Sequence, residues 1–227
     1  TIDEHTRRIR KLLSDVKYKQ AVTEITDLLA IKSPLPGKFY FYLAQAQKGL
    51  RKRHLANAAL RKFINHYPDH SRIQEALFNI GRNFWNTGYY RDGLKYFETS
   101  IKKSPHSNLA NQARFFIGKM HEEKKRHSQA TIYYEALTNN FRSSEYAERA
   151  AWQLGWLNYT NGDFQKSFDY FNESSQKYPS GLFIESSMFW AAKSLEKLKR
   201  KELATQLFND VNFKFPYTYY GIRSGEK

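Results

Sequence analysis

A period of 37 residues runs through most of this 227-residue chain and limits the folds open to it. One recurring position is a helix stop, occupied by Pro68, Pro105, Arg142, Pro179 and Pro216. Two positions hold small residues: Ala44, Gly81, Gly118, Gly155 and Ala192, then Ala56, Gly93, Ala130, Ser167 and Ala204. A fourth is large and apolar, at Leu60, Phe97, Tyr134, Phe171 and Phe208. Self-similarity at a fixed period predicts a repeat protein, in which each repeat contacts its neighbours.

Each period contains the pattern of two helices joined by a short turn. In the repeat that ends at Pro105, one apolar stripe with helical spacing runs over residues 76–85 and a second over residues 90–101. Asn86-Thr87-Gly88 separates the stripes as a turn does, and the proline ends the second helix. The recurring small residues let the two helices approach closely, and the large apolar residue fills the space beside them.

The predicted fold is therefore all-α, a helix-turn-helix solenoid over residues 1–217. It comprises six repeats, hence roughly twelve helices. The first repeat is degenerate, and residues 32–37 form an irregular connection after it. Residues 218–227 are a tail beyond the last repeat.

Composition restricts the chemistry that the chain can perform. Its 37 Lys and Arg outnumber 22 Asp and Glu, so the formal net charge is +15. This excess favours an anionic partner, and a simple solvated surface is the alternative. There is no cysteine, which excludes disulfides and thiolate chemistry, and no apolar run approaches the ~20 residues of a membrane span. A nucleic-acid partner would rest on charge alone and is not predicted.

Basic residues concentrate in the turn between the two helices of every second repeat. The third and fifth repeats carry Asn-Thr-Gly and Asn-Gly-Asp at the equivalent place. The sequence therefore predicts an intermittently basic edge, formed by Arg51, Lys52, Arg53, Lys124, Lys125, Arg126, Lys199, Arg200 and Lys201.

No catalytic residue, metal site or cofactor is predicted. His66 and His70 have the spacing of a helical metal pair, but Pro68 lies between them and ends the helix. Glu185 lies in an apolar stretch, as the acid of a glycosidase does. The repeat register explains it better, because it places Glu185 at the start of a helix, where a carboxylate complements the helix dipole.

The pattern of small, aromatic and proline positions resembles the tetratricopeptide repeat, whose usual period is about 34 residues. Here the three extra residues follow the helix stop. The resemblance implies that first helices line a concave groove that binds protein segments. The groove residues expected on this basis are Arg82, Trp85, Lys119, Trp156, Tyr159 and Lys193. A further column either borders the groove or packs between repeats: Phe41, Phe78, Phe115, Trp152 and Phe189.

The end of the chain carries a second resemblance. Phe215-Pro216-Tyr217-Thr218-Tyr219-Tyr220-Gly221, with Trp152 and Gly155-Trp156 before it, is similar to the repeat region of bacterial soluble lytic transglycosylases. This implies a periplasmic location and a non-catalytic superhelical domain that positions peptidoglycan or envelope proteins, with the tail leading to a catalytic domain absent from this chain. The alternative is a free-standing scaffold that binds a protein segment in its groove.

The tail itself carries a structural expectation. It either packs back on the sixth repeat, near Phe208 and Phe215, or serves as the docking surface of the domain that would follow. Gly221 is expected to occupy a turn with positive φ, which a larger residue resists.

Overall fold

The computed structural model describes all residues, 1–227, and consists of thirteen α-helices with no strand. The helices are α1 (Ile2–Ser14), α2 (Tyr18–Ile31), α3 (Lys38–Gly49), α4 (Arg53–His66), α5 (Ile73–Trp85), α6 (Tyr90–Lys103), α7 (Asn108–Glu123), α8 (His127–Asn140), α9 (Glu145–Thr160), α10 (Phe164–Lys177), α11 (Ile184–Lys197), α12 (Lys201–Lys214) and α13 (Tyr219–Gly225). The all-α prediction is confirmed. Six helix pairs, α1–α2 to α11–α12, form the six repeats, and the tail adds the thirteenth helix.

The chain divides into two compact units, residues 1–113 and residues 114–227, called here the N-terminal and C-terminal halves. In the N-terminal half, α3 packs on α4 and α5 on α6, and α4 and α5 join the two pairs. In the C-terminal half, α9 packs on α10, α10 on α11, and α11 on α12. Within each half, every helix therefore packs mainly against the helices that precede and follow it, as expected of stacked repeats.

The two helices of a repeat approach closely at the first of the two recurring small-residue positions, and this explains why glycine recurs there, at Gly81, Gly118 and Gly155. A Cβ added at Gly155 would lie 2.6 Å from the Phe171 ring, and one at Gly118 would overlap the ring of Tyr134. Both rings are fully buried. The large residue of the second helix thus occupies the volume that a side chain on the first helix would need, as the sequence predicts.

The turn inside each repeat has a left-handed residue at a fixed position. Five such residues are spaced by the repeat period: Arg51 at φ 60°, Gly88 at 81°, Lys125 at 55°, Gly162 at 81° and Lys199 at 60°. Glycine adopts this conformation freely, whereas an L-residue there is held by its surroundings at an energetic cost. The three basic turns therefore share the backbone of the two glycine turns.

Aromatic rings connect successive repeats in the C-terminal half. The ring of each first helix contacts a ring 31 residues later, at the start of the next first helix: Phe115 with Tyr146 at 5.8 Å, Trp152 with Phe183 at 5.7 Å, and Phe189 with Tyr220 at 5.2 Å between centroids. The same three rings also pack on the second helix of their own repeat, against Tyr134, Phe171 and Phe208. This aromatic column is therefore a packing column of the repeat interior.

The tail forms α13 and packs back on the sixth repeat. Tyr220 packs against the apolar cluster that contains Phe189 and Phe208. The prediction about Gly221 is wrong, because Gly221 lies inside the helix and is not among the residues with positive φ. A Cβ there would instead overlap the backbone carbonyl of Phe215. Glycine is thus needed for a close approach of two backbone segments.

Candidate functional site

Three side-chain pairs with the spacing i, i+3 mark the first helices of the C-terminal half. They are Lys119 and Glu122 on α7, Trp156 and Tyr159 on α9, and Lys193 and Glu196 on α11. Lys119 Nζ donates to Glu122 Oε1 at 2.9 Å, and Lys193 pairs with Glu196. The rings of Trp156 and Tyr159 stack at 6.0 Å with an interplanar angle of 10°. In chain order, the aromatic pair of α9 therefore comes between the ion pairs of α7 and α11.

Four half-buried aromatic side chains form what we call the aromatic ladder: Trp152, Trp156, Tyr159 and Trp190. Trp152 stacks on Trp156 at 5.8 Å, which continues the stack along one face of α9. Trp190 on α11 meets Trp156 and Tyr159 edge-on, both at 4.9 Å. Sequence reasoning missed Trp190, although its place directly after the column residue Phe189 was a usable signal. Aromatic rings packed in this way keep fixed orientations, and each of the four stays partly exposed.

The phenol of Tyr159 is held in its neutral form. Burial raises its pKa above the ordinary value, and the negative charge of Glu196 acts in the same direction, while Lys193 opposes them. Tyr159 therefore offers both a hydrogen-bond donor and an acceptor at the end of the ladder.

Glu122 is a second residue that sequence reasoning missed. Besides Lys119, its carboxylate accepts hydrogen bonds from Tyr134 Oη at 2.9 Å and from Gln153 Nε2 at 2.9 Å. The predicted groove cations Lys119 and Lys193 are thus both held by carboxylates of their own helices. Each of the two ammonium groups is therefore paired with a carboxylate, and neither is an isolated cation.

In the N-terminal half, a cleft of about 180 Å³ lies between the first helices α3 and α5. Its lining consists of Phe41, Ala44, Gln45, Lys48, Leu60, Arg72, Glu75, Asn79 and Asn83. The Arg72 guanidinium lies 3.6 Å from the centroid of the Phe41 ring and donates to both carboxylate oxygens of Glu75, at 2.7 and 2.8 Å. Arg72 is thus fixed by a cation–π contact and a bidentate ion pair.

The structure places the predicted groove residues of this half beside the cleft rather than in it. Arg82 is exposed and Trp85 is half-buried, and neither belongs to the cleft lining. The residues that sequence reasoning missed are Asn79 and Asn83, which are four residues apart on α5. Asn83 is buried and donates to Asn57 Oδ1 at 2.7 Å, so its orientation is fixed.

The residues predicted to form a basic edge lie in or beside the turns within repeats. Eight are exposed: Arg51, Lys52, Lys124, Lys125, Arg126, Lys199, Arg200 and Lys201. Arg53 is half-buried at the start of α4. The basic turns are therefore accessible to an anionic partner.

His70 and Glu185, considered from the sequence for metal binding and catalysis, both have positions that the fold explains. His70 Nδ1 accepts the backbone N–H of Arg72 at 3.1 Å, and its ring packs on Phe63 at 5.2 Å. Glu185 lies in the first turn of α11, where the repeat register places it. No group of three or more potential metal ligands occurs among residues 1–227, and none of the helices has the length and apolar character to cross a membrane.

Comparisons with known proteins agree with this architecture. Two family models described as tetratricopeptide repeats match residues 39–70 and residues 78–146. No curated protein matches the sequence.

Solved structures give the same fold at low sequence identity. The C-terminal part of a TPR repeat-containing protein from Cytophaga hutchinsonii is 15% identical with a TM-score of 0.70, over 90% of this chain and 77% of that one. PilF of Pseudomonas aeruginosa is 16% identical with a TM-score of 0.61, over 100% and 97%. PilW, a type IV pilus biogenesis factor, is 16% identical with a TM-score of 0.58, over 98% and 97%. The chain therefore carries tetratricopeptide repeats and has the fold of a tetratricopeptide-repeat protein.

Proposed function

We propose that this chain is a scaffold that binds an extended segment of a partner protein along its first helices. The observation that carries the proposal is the aromatic ladder, in which Trp156, Tyr159 and Trp190 hold one another in fixed orientations. Trp and Tyr dominate the binding energy of protein interfaces because they offer a large contact area at little cost in side-chain entropy. Tetratricopeptide repeats likewise favour protein partners over small substrates.

The cleft between α3 and α5 supports the same proposal with different chemistry. Asn79, Asn83 and Gln45 line it with side-chain amides, each of which carries a donor and an acceptor. An extended peptide presents unpaired N–H and C=O groups that such amides can satisfy. The volume of about 180 Å³ fits a short stretch of main chain or a single side chain better than a cofactor, since ligand pockets usually exceed ~300 Å³.

A display library of extended peptides tests the proposal. Peptides selected on the 227-residue chain should bind more weakly to Tyr159→Ala, by about tenfold or more if the ladder anchors them. Tyr89→Ala is the matched control, since Tyr89 is an exposed tyrosine outside the first helices. Equal affinity for both variants would contradict a role for the ladder.

We propose as a second function that the chain is a superhelical domain of a periplasmic lytic transglycosylase that positions peptidoglycan or envelope proteins. The segment from Phe215 to Gly221 supports it, together with the net charge of +15, which complements the carboxylates of peptidoglycan. The family models and the three structures described above are of tetratricopeptide proteins. This second proposal therefore rests on the tail and the charge.

Sedimentation with purified peptidoglycan sacculi tests the second function. Reversal of Lys124, Lys125 and Arg126 to Glu should reduce the bound fraction, and the reduction should shrink as salt rises, because exposed charges are screened beyond ~8 Å at physiological ionic strength. The chain alone should release no soluble muropeptides. If neither charge reversal nor salt changes the bound fraction, these three residues are only part of the solvated surface.

A further inference from the structure

Positive charge is concentrated in the turns that join the two helices of a repeat. These turns are residues 15–17, 50–52, 86–89, 124–126, 161–163 and 198–200, and their 19 residues contain eight cations and two carboxylates, a net charge of +6. The segments that follow each repeat are residues 32–37, 67–72, 104–107, 141–144, 178–183 and 215–218, and their 30 residues carry a net charge of +2. The charge per residue is therefore about five times the chain average in the first set and equals the average in the second.

The basic turns hold a cation where the backbone favours glycine. The left-handed residues are Arg51, Lys125 and Lys199 in the basic turns and Gly88 and Gly162 in the other two. Both kinds of turn have the same hydrogen bond: Arg126 N donates to His121 O at 2.9 Å, and Asp163 N donates to Asn158 O at 3.0 Å. This bond closes a helix whose end residue is left-handed and is usually glycine. Glycine would therefore serve the fold of the basic turns at a lower conformational cost.

The side chains at these left-handed positions do not stabilise the fold through a charged partner. Arg51, Lys125 and Lys199 are all exposed. Lys125 and Lys199 take part in no ion pair, in contrast to Lys119 and Lys193, which are held by carboxylates. Residues kept in a costly backbone conformation without such compensation are typical of functional sites. The basic turns therefore indicate a binding surface.

Exposed apolar side chains lie beside these cations. Leu55 and Leu203 occupy the same repeat position, four residues after the left-handed residue of their turns, and are 38% and 53% exposed. The repeats with glycine turns carry Asp92 and Lys166 at that position. In the first repeat the left-handed residue itself is apolar, since it is Val16 and is 64% exposed. Two of the three basic turns thus combine cations with an exposed leucine.

The combination of cations and apolar side chains matches the chemistry of an anionic lipid surface. Each Lys or Arg that reaches such a surface raises the affinity by about fivefold, and an apolar side chain enters the boundary between headgroups and acyl chains. Cations alone would also suit the phosphates of a nucleic acid. The two leucines favour the membrane, because a bilayer takes up aliphatic side chains whereas a phosphate backbone does not.

We propose that the basic turns and their leucines bind the surface of an anionic lipid membrane. Within each half, the turns inside the repeats lie at the same edge of the stacked helices, so more than one turn can contact the surface at once. The headgroups supply the negative charge that the unpaired cations lack. The contact uses turns and not the aromatic ladder, so it does not rest on the proposed peptide binding.

Sedimentation of the 227-residue chain with phospholipid vesicles tests the proposal. Vesicles of phosphatidylglycerol and phosphatidylcholine should bind the chain, vesicles of phosphatidylcholine alone should bind it far more weakly, and binding should fall as salt rises. The double variant Lys125→Gly, Lys199→Gly should bind about fivefold more weakly for each cation removed, and it should unfold at a higher temperature. Misfolding cannot explain weaker binding by a variant that is more stable than the parent chain.

Two further variants make the test specific to these turns. Arg142→Gln with Lys214→Gln removes the same charge from exposed positions at the opposite edge of the C-terminal half, and it should bind nearly as well as the parent chain. Leu203→Gln introduces the residue that the fourth repeat carries there, Gln129, so the fold should tolerate it. It should weaken binding even at high salt, where the cations are screened.

Three outcomes would overturn the proposal. The first is an equal loss of binding in the two double variants, which would show that only the net charge matters. The second is equal binding to vesicles with and without phosphatidylglycerol. The third is tighter binding to a DNA duplex than to the anionic vesicles at the same salt, which would identify a nucleic acid as the partner. The vesicles contain neither peptide nor peptidoglycan, so failure here is distinct from failure of either proposed function.

Discussion

The phenol of Tyr134 donates a hydrogen bond of 2.9 Å to the carboxylate of Glu122, and this contact joins the buried centre of the fourth repeat to its surface. Tyr134 lies on α8 and is fully buried. The Glu122 carboxylate also accepts hydrogen bonds from Lys119 on α7 and from Gln153 on α9, both of which are first helices. The core and the candidate binding surface therefore share one carboxylate.

This relationship predicts a loss of stability at high pH. Burial above all, and then the charge of Glu122, raises the pKa of Tyr134 far above its ordinary value of 10.0. A raised folded-state pKa means that the stabilisation is fully present below pH 10 and is lost as pH rises further, by up to about 1.4 kcal/mol per pH unit. Tyr134→Phe should cost about 1 kcal/mol at pH 7 and flatten this alkaline decline. Urea unfolding between pH 7 and pH 11 measures both effects, and an equally steep decline in the variant would contradict the assignment.

Alanine at the first of the two recurring small-residue positions should be costly where the facing ring is close. The Cβ of Gly155→Ala would lie 2.6 Å from the Phe171 ring, so we expect a loss of about 1–2 kcal/mol, overpacking being partly offset by the better helix propensity of alanine. Gly81→Ala is the milder comparison, since its Cβ would lie 3.0 Å from Phe97 and the two effects should nearly cancel. Chemical denaturation of both variants measures the difference. Equal losses would show that ring proximity does not set the cost.

Glycine at the left-handed turn position should stabilise the basic repeats. Lys125 and Lys199 adopt φ of 55° and 60°, so Lys125→Gly and Lys199→Gly should each gain about 0.5–1 kcal/mol, a little less than the cost of the left-handed conformation because glycine also loosens the unfolded chain. The reverse change, Gly162→Lys, should destabilise by a similar amount. No atom lies within 4 Å of a Cβ added at Gly162, so steric overlap does not confuse the comparison. Thermal unfolding gives all three values, and a destabilising Lys125→Gly would contradict the argument.

Alanine at Gly221 should detach α13 from the sixth repeat. The added Cβ would overlap the carbonyl of Phe215, so either the turn or the helix must move. Hydrogen exchange should accelerate at the amides of α13 and stay unchanged in α8 and α9, because each repeat contacts only its neighbours. Gly225→Ala is the control, since its nearest contact is the Asn212 side chain at 3.1 Å. Unchanged protection of α13 would show that the close approach is not required.

Periodicity predicted the helices, the intra-repeat turns and the large residues beside the glycines, because these features recur locally and each depends on one residue type. Proline and glycine positions such as Pro105 and Gly88 could be interpreted without any distant contact. The same local reasoning failed at Gly221, where the requirement comes from a backbone segment that only the folded chain brings close.

The candidate site was harder to predict for a related reason. Trp156 and Tyr159 were identified because their spacing places them on one helix face. Trp190 and Glu122 were missed, because their roles depend on contacts between helices of different repeats. Arg72 was missed because its contact with the Phe41 ring exists only once α3 and α5 lie side by side, although its pair with Glu75 is local.

The ring pairs between repeats have a mechanical consequence. Each pair joins two residues that are 31 apart in the chain. The first pair is Phe115 with Tyr146, and the last is Phe189 with Tyr220. A force applied at the C-terminus would therefore load one ring pair at a time, and each rupture would free one 37-residue period. That length corresponds to about 120–130 Å of extended chain. The C-terminal half should lengthen in equal steps under tension, which a single globular core does not do.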